Sequence, residues 1–149
     1  RPGHRDVAGA CGVSRVAAKI DVAVARYPDC DEFGEAMIEF DSGAVGTLAA
    51  GWVDVANPVT CEVCGTEGHT LVVNGELHVQ SPKITGAEEK LTKYDDLPEP
   101  WPHAFEIFLN TVANKSAHPC VTPDEAAYRS EVMAAMYEAG SSGTWIKLG

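Results

Sequence analysis

The sequence lacks the motifs that mark most catalytic and cofactor-binding sites. Its 149 residues contain no GxGxxG or GxxxxGK phosphate loop, no GxSxG nucleophile elbow and no HExxH zinc motif. They also contain no apolar run near the roughly 20 residues of a membrane span, and no signal-peptide pattern. We therefore expect no catalytic residue and no bound cofactor in this chain, no membrane partner, and a cytoplasmic protein.

Basic residues are scarce. The chain has 11 Lys and Arg against 22 Asp and Glu, a formal charge of −11, and no cluster of basic residues. Phosphate backbones would be repelled, so we exclude nucleic acid as a partner. The surplus carboxylates are typical of a surface that keeps a protein soluble. With 45% hydrophobic residues, the chain has the composition of one globular domain.

The cysteines do not form a pattern typical of disulfides. There are five, an odd number, which fits reduced thiols in a cytoplasmic protein. Cys61 and Cys64 form a CxxC, but residues three apart on a strand face opposite sides of the sheet. No second CxxC or spaced histidine pair completes four ligands. We therefore predict no metal site.

Turn residues separate a series of β-rich segments. Glycine in Asp41-Ser42-Gly43 and in Asn74-Gly75 supplies the positive φ that a tight reversal needs, so each turn predicts an antiparallel hairpin. The predicted strands are residues 13–24, 36–40, 45–53, 59–64, 70–73, 76–80 and, at one edge, 90–94, with a last short strand at 145–148.

The strand at 45–53 indicates how the sheet is covered. Val45, Thr47 and Ala49 alternate with Leu48 and Trp52, and neither set is charged. Both faces should therefore be covered, one by the helices of this chain and the other by something else. We expect a homo-oligomer that pairs through this apolar, open face.

Two helices are predicted after the strands. Residues 103–114 form the first, and Thr122-Pro123 with Glu125 predicts a capping box that begins the second, which ends at Gly140. The apolar stripes expected to pack are Phe105, Phe108, Leu109 and Val112 on the first helix, and Ala126, Ser130, Met133 and Tyr137 on the second, flanked by Val132 and Met136.

These elements predict an α+β fold, a mostly antiparallel open sheet of about six strands with two C-terminal helices on one face. The domain covers residues 13–149. Residues 1–12 show no period and are interpreted as a remnant of an upstream connection. Because the chain starts at Arg1, without methionine, we expect it to be a piece of a longer protein.

Five residues are candidates for contact with a small molecule. Trp52, Asp54 and Asn57 lie at or beyond the end of a central strand and could form a polar rim with one aromatic platform. For each residue considered separately, a structural role is favoured. Trp52 would belong to the core, Asp54 would cap a turn, and Asn57 would precede proline for backbone reasons. Trp101 and His103, before the first helix, form a second group.

Several segments together resemble the C-terminal half of the Gfo/Idh/MocA oxidoreductases. They are FDSGAVGTLAAGW, CEVCGTEGHTLVV and the closing stretch NTVANKSAHPCVTPDEAAYRSEVMAAMYEAGSSGTWIKL. The family has a similar F-x-x-G-x-x-G strand, a later G-T-x-G turn, and a helix, P-x-V and second helix leading to a last β-run. The resemblance covers residues 13–148, and the order and spacing of the motifs carry it.

The resemblance implies the substrate-binding and oligomerisation half of a dehydrogenase. In such enzymes a Rossmann domain binds NAD or NADP, and hydride passes between the nicotinamide and a secondary alcohol of a sugar, inositol or related polyol. The family's GxGxxG, its catalytic lysine and its Asp-x-x-x-His pair belong upstream of Arg1. We therefore expect this chain alone to be inactive. The alternative is a stand-alone binding or scaffold module that dimerises through its apolar sheet face.

Overall fold

The computed structural model describes residues 12–27, 29–115 and 118–149. Contacts divide the described chain into two compact units, one holding the residues up to Val53 and from Phe108 onward, the other holding residues 54–107. The elements in chain order are β1 (Val13–Asp21), β2 (Phe33–Phe40), β3 (Val45–Gly51), β4 (Val59–Gly65), β5 (Gly68–Val73), β6 (Glu76–Gln80), β7 (Thr92–Lys93), α1 (Ala104–Val112), α2 (Pro123–Ser142) and β8 (Ile146–Lys147).

The first unit is a four-stranded antiparallel sheet backed by α2. The strand order is β3-β2-β1-β8, so the closing strand, which the sequence predicts, pairs with β1. The predicted hairpin joins β2 to β3, and Gly43 in its turn has φ 86°. The core lies between β1 and α2 and contains Val16, Ala135, Met136 and Ala139.

The helix α2 begins where the sequence predicts and ends later. Thr122 accepts a hydrogen bond from the Glu125 backbone N–H at 3.2 Å, while the Glu125 carboxylate accepts one from the Thr122 N–H at 2.8 Å. The helix runs past Gly140 to a left-handed cap at Gly143, φ 67°. Gly140 does not end the helix, because the glycine that adopts the left-handed conformation is Gly143. Gly140 packs against β1 instead, where a Cβ would lie 3.4 Å from Cγ1 of Ile20.

The predicted inward face of α2 is wrong. Met133 is 60% exposed, whereas Met136 is 8% exposed and belongs to the core. Apolar residues, many of them alanine, occur all around this helix, so the sequence contains no single dominant stripe. The predicted face, Ala126, Ser130, Met133 and Tyr137, is exposed; the flanking Val132 and Met136 are the ones that pack.

The face of the first sheet that lies away from α2, here the open face, carries both apolar and charged groups. Alternation places Ala17, Met37 and Thr47 there in one cross-strand row. A neighbouring row contains Arg15 and Glu39, whose side chains form a two-pronged ion pair with both N–O distances at 2.7 Å. The expectation of a wholly apolar face, drawn from β3 alone, is therefore wrong.

The second unit is a separate antiparallel sheet of order β4-β5-β6-β7. Asn74 and Gly75, with φ 51° and 80°, form the predicted tight turn between β5 and β6. All seven residues of β4 are exposed, whereas Val79 on β6 is buried. Among the described strands, β4 to β7 pair only with one another.

The predicted α+β antiparallel class, with two helices near the C-terminus, is confirmed. The described residues form eight strands in two sheets of four, rather than about six strands in one. No pairing joins β3 to β4 in the described residues, because residues 54–58, with Asn57-Pro58, interrupt the ladder. Of the predicted remnant at 1–12, only Gly12 lies within the described residues.

The helix α1 differs from its prediction in which side is buried. Its predicted packing stripe, Phe105, Phe108, Leu109 and Val112, is exposed, and the buried residue of the helix is Ile107. The boundary between the two units falls within this helix. The 3.6-residue period correctly predicted a helix, but it could not say which side of that helix is covered.

Candidate functional site

A fully buried carboxylate holds the loop after β1. Glu32 is 0% exposed, and its Oε2 accepts hydrogen bonds from the backbone N–H groups of Ala23, Val24 and Ala25 at 2.8, 2.6 and 3.1 Å. Its Oε1 accepts a fourth from Arg26 N–H at 2.7 Å. These bonds, led by the one from Val24, hold the pKa of Glu32 below its ordinary value, despite the opposing effect of burial.

That loop carries an aromatic cluster onto the end of β3. The Tyr27 ring stacks on Trp52 with a centroid distance of 5.4 Å and an angle of 27°. The Arg26 guanidinium lies over the same indole, 5.9 Å from its centroid. The indole Nε1 donates to the carbonyl oxygen of Asp31 at 2.9 Å. We call Arg26, Tyr27, Asp31, Trp52 and Tyr137 the aromatic cluster.

Tyr137 joins the cluster from α2. Its hydroxyl donates to the Asp31 carboxylate, at 3.3 Å from each oxygen. The negative charge of Asp31, together with desolvation and this hydrogen bond, raises the pKa of Tyr137. The phenol therefore stays protonated near neutral pH and remains a donor. Helix, loop and strand end are thus tied together at one place in the first unit.

The cluster offers an aromatic surface bordered by polar groups. Trp52 is 45% exposed and Tyr27 is 56% exposed, so both present ring surface to solvent. A rigid aromatic surface with a nearby cation and carboxylate is suited to the apolar face and the hydroxyls of a small polar molecule. Asp31, Tyr137 and Arg26 can hold such a molecule by hydrogen bonds; their geometry shows no nucleophile aligned with a base.

The structure brings only one of the five predicted site residues into this cluster. Trp52 is there, whereas Asp54 and Asn57 are exposed and belong to the second unit. Trp101, also in the second unit, is exposed. The ring of His103 stacks on Phe105 at 5.6 Å, and its Nδ1 accepts a hydrogen bond from the Phe105 N–H at 3.2 Å. This histidine therefore makes a capping contact at the start of α1.

Sequence reasoning missed Glu32, Tyr27, Asp31 and Tyr137. The first three lie between the predicted strands at 13–24 and 36–40, where the sequence predicts no element, and Tyr137 falls in the predicted packing stripe of the second helix. No periodicity marks a loop glutamate that satisfies four backbone donors, because the contacts depend on the path of the loop. Trp52 at the predicted strand end was the one residue of the cluster that the sequence could indicate. Tyr27 is distant from it in the sequence, and only the fold shows that the two rings stack.

Comparison with known proteins finds a family model that matches part of the chain. Residues 9–70 match the family model described as GFO/IDH/MocA C-terminal domain. Residues 9–70 of this chain are therefore similar to the GFO/IDH/MocA C-terminal domain. The match confirms the resemblance drawn from the motifs. Among curated proteins, no match was found.

Solved structures share the fold of this chain. A putative oxidoreductase from Thermotoga maritima superposes with a TM-score of 0.74 at 14% identity, covering 93% of this chain and 41% of that one. Aldose-aldose oxidoreductase from Caulobacter crescentus, complexed with glycerol, gives 0.72 at 16%, covering 93% and 42%. Levoglucosan dehydrogenase in complex with NADH gives 0.70 at 21%, covering 93% and 45%. The chain thus spans less than half the length of each.

The described residues do not form a Rossmann-type site for a nicotinamide dinucleotide. Such a cofactor needs a parallel strand, a glycine loop and a helix N-terminus aimed at its phosphates. All strand pairs among the described residues are antiparallel, and the N-terminus of α2 is closed by its own Thr122 and Glu125. Among the described helices, none is long and apolar enough to cross a membrane.

Proposed function

We propose that this domain is the substrate-binding and oligomerisation half of an NAD- or NADP-dependent oxidoreductase acting on a secondary alcohol of a sugar, inositol or related polyol. The family match carries the proposal. Two structural neighbours whose names refer to sugar chemistry, levoglucosan dehydrogenase and aldose-aldose oxidoreductase, support the substrate class. The nicotinamide belongs to a Rossmann domain outside these residues, in a cytoplasmic protein.

The aromatic cluster is the proposed substrate contact. A sugar or polyol would lay its C–H face on Trp52 or Tyr27 and direct hydroxyls toward Asp31 and Arg26. Asp54, Asn57, Trp101 and His103 remain candidates from the sequence. The cluster is favoured over these four because Glu32 and the Trp52–Asp31 hydrogen bond fix its geometry before any ligand arrives.

A single-tryptophan variant tests this contact directly. In the double variant Trp101→Phe with Trp145→Phe, only Trp52 of the three tryptophans remains. We expect levoglucosan, glycerol or L-sorbose to change its fluorescence in a saturable way, and Tyr27→Leu to weaken the binding by up to about tenfold. The matched control Tyr94→Leu should leave binding unchanged. A saturable signal that Tyr27→Leu does not alter would remove the cluster from the proposal.

The activity itself is tested on the full-length reading frame that contains residues 1–149. We expect it to reduce a nicotinamide dinucleotide in the presence of a sugar or polyol, with Trp52→Ala raising KM more than it lowers kcat. The 149-residue chain alone should neither turn over nor bind NADH; micromolar NADH binding by it would show that the cofactor site is misplaced. A native start codon close to the codon for Arg1 would instead favour the stand-alone binding module.

Self-association through the open face is the second part of the proposal. Met37 is 44% exposed at the centre of that face, next to Ala17 and Thr47, while the Arg15–Glu39 pair provides a polar border. We expect a dimer in sedimentation, dissociated by Met37→Lys and unaffected by Met133→Lys on the exposed side of α2. A monomer at micromolar concentration would contradict it.

A further inference from the structure

Three different metal-ligating side chains meet on one face of the β4–β5 hairpin. Glu62 and Cys64 are two residues apart on β4 and so share a face, and His69 on β5 is the direct cross-strand partner of Cys64. His69 Nε2 lies 2.8 Å from Glu62 Oε1, and Cys64 Sγ lies 3.9 Å from the same oxygen. The three ligand atoms all lie within 4.8 Å of one another.

We propose that Glu62, Cys64 and His69 bind a zinc ion. Bonds of about 2.0–2.3 Å to a tetrahedral zinc place its ligand atoms roughly 3.3–3.8 Å apart, so side-chain shifts of about an ångström would bring all three onto one ion. Thiolate with imidazole favours zinc over magnesium and calcium, which prefer all-oxygen sites. Glu62 and Cys64 are exposed, which leaves the fourth position to water or a solute.

The sequence predicts no metal site because Cys61 and Cys64 of the CxxC should face opposite sides of the sheet. Glu62, Cys64 and His69 lie on the same face, so this argument does not apply to them. The register places Cys61 opposite Val72 and Cys64 opposite His69, so the two cysteines point to opposite faces, as the strand geometry predicted. Cys61 is therefore not a ligand here. The other two ligands are Glu62, two residues before Cys64 on β4, and His69 on the neighbouring strand β5. No short sequence motif has this arrangement.

The end of the hairpin that carries these residues is held in place. Ser81 Oγ donates to the carbonyl oxygen of Glu67 at 2.7 Å, and Lys83 Nζ pairs with the Glu67 carboxylate at 2.6 Å. Gly68 lies so close to β6 that a Cβ would stand 2.9 Å from the Gln80 carbonyl oxygen. A fixed turn keeps Cys64 and His69 facing each other, which lowers the ordering cost of binding.

Zinc would act as a staple for a strand that has little packing. All of β4 is exposed, and a bound ion would link β4 to β5 through side chains in addition to the backbone ladder. Binding to the folded state alone stabilises that state in proportion to the logarithm of the free zinc concentration. We therefore expect zinc to raise the melting temperature of the chelator-treated protein, and magnesium to leave it unchanged.

Cobalt replacement and titration calorimetry test the site. With Co²⁺, the wild-type protein should show a thiolate-to-metal absorption band together with the intense visible bands of tetrahedral cobalt. Cys64→Ser should abolish the thiolate band and the matched control Cys61→Ser should keep it. In zinc titrations, His69→Gln should weaken binding by more than the roughly tenfold loss typical of a lost outer partner, and the control His78→Gln should not.

The outcomes are decisive even where a variant folds poorly. Absence of the thiolate band in wild-type protein overturns the proposal without any variant. Equal losses in Cys61→Ser and Cys64→Ser would show unspecific thiol binding and overturn it as well. Circular dichroism of each variant without metal checks that the hairpin is intact, and a loss of binding in a well-folded Cys64→Ser variant supports the site.

Discussion

The two sheets of this domain have the same number of strands and the same antiparallel pairing, yet they are covered differently. In the first, α2 packs on β1 and supplies three of the four residues of the buried core. In the second, β4 is exposed along its whole length, and polar side chains share the sheet with the valines. The difference shows that burial, more than strand pairing, distinguishes the sheet that holds the hydrophobic core from the sheet whose β4 strand is open to solvent.

Removing a core side chain should have the largest effect. Met136→Ala deletes a buried side chain between β1 and α2, and we expect it to lower the free energy of unfolding by about 2–5 kcal/mol. The matched control Met133→Ala removes the same side chain from an exposed position of the same helix, and should cost under about 0.5 kcal/mol. Urea denaturation measures both, and equal losses would contradict the burial assigned to α2.

Neutralising Glu32 should have the second-largest effect on stability, and this effect should depend on pH. Its folded-state pKa is lowered from 4.5, so its contribution is fully present above 4.5 and is lost as the pH falls through the lower, folded-state pKa. Glu32→Gln cannot accept all four N–H groups and should lower the melting temperature most clearly at neutral pH.

The difference between Glu32→Gln and wild type should shrink as the pH falls below 4.5. Glu35→Gln, on an exposed residue of β2, is the matched control and should have little effect at either pH. A Glu32→Gln protein as stable as wild type at neutral pH would show that the four hydrogen bonds do not order this loop.

The smallest of the three effects should come from the second sheet. Gly75 has φ 80°, and Gly75→Ala should cost about 1–2 kcal/mol because a Cβ is strained in that conformation. Gly65→Ala is the control, since a Cβ there meets only the Gly68 carbonyl oxygen at 3.8 Å. Thermal unfolding followed by circular dichroism compares the two. A Gly75→Ala variant as stable as the control would mean that the β5–β6 turn is not constrained as described.

Local signals in the sequence predicted most elements, because each depends on neighbouring residues. Gly43, Asn74-Gly75 and the Thr122–Glu125 box mark a turn or a helix start by their own backbone chemistry. The covered sides of α1 and α2 could not be predicted, since burial depends on what lies opposite. The division into two sheets depended in the same way on which strands pair across residues 54–58.

The candidate site was less predictable than the fold. Trp52 could be selected because an aromatic residue at a strand end is visible in the sequence. Glu32 and Tyr137 could not, since they act through contacts with residues 6 to 9 and 106 positions away. The Glu62, Cys64 and His69 set likewise needed the register of β4 on β5, because a shift of one residue would put His69 on the other face.

The close approach of Gly140 to Ile20 has a consequence for how this domain can diverge. Ile20 fits between Gly140 on the helix and Gly34 on the adjacent strand, and a Cβ on either glycine would stand 3.4 Å from its Cγ1. Alanine at 140 or 34 would place its Cβ in contact with Ile20, and a side chain larger than alanine would compete with Ile20 for the same space. In related proteins, the side-chain volumes at positions 20, 34 and 140 should therefore vary together. Such covariation would mark the contact between α2 and its sheet.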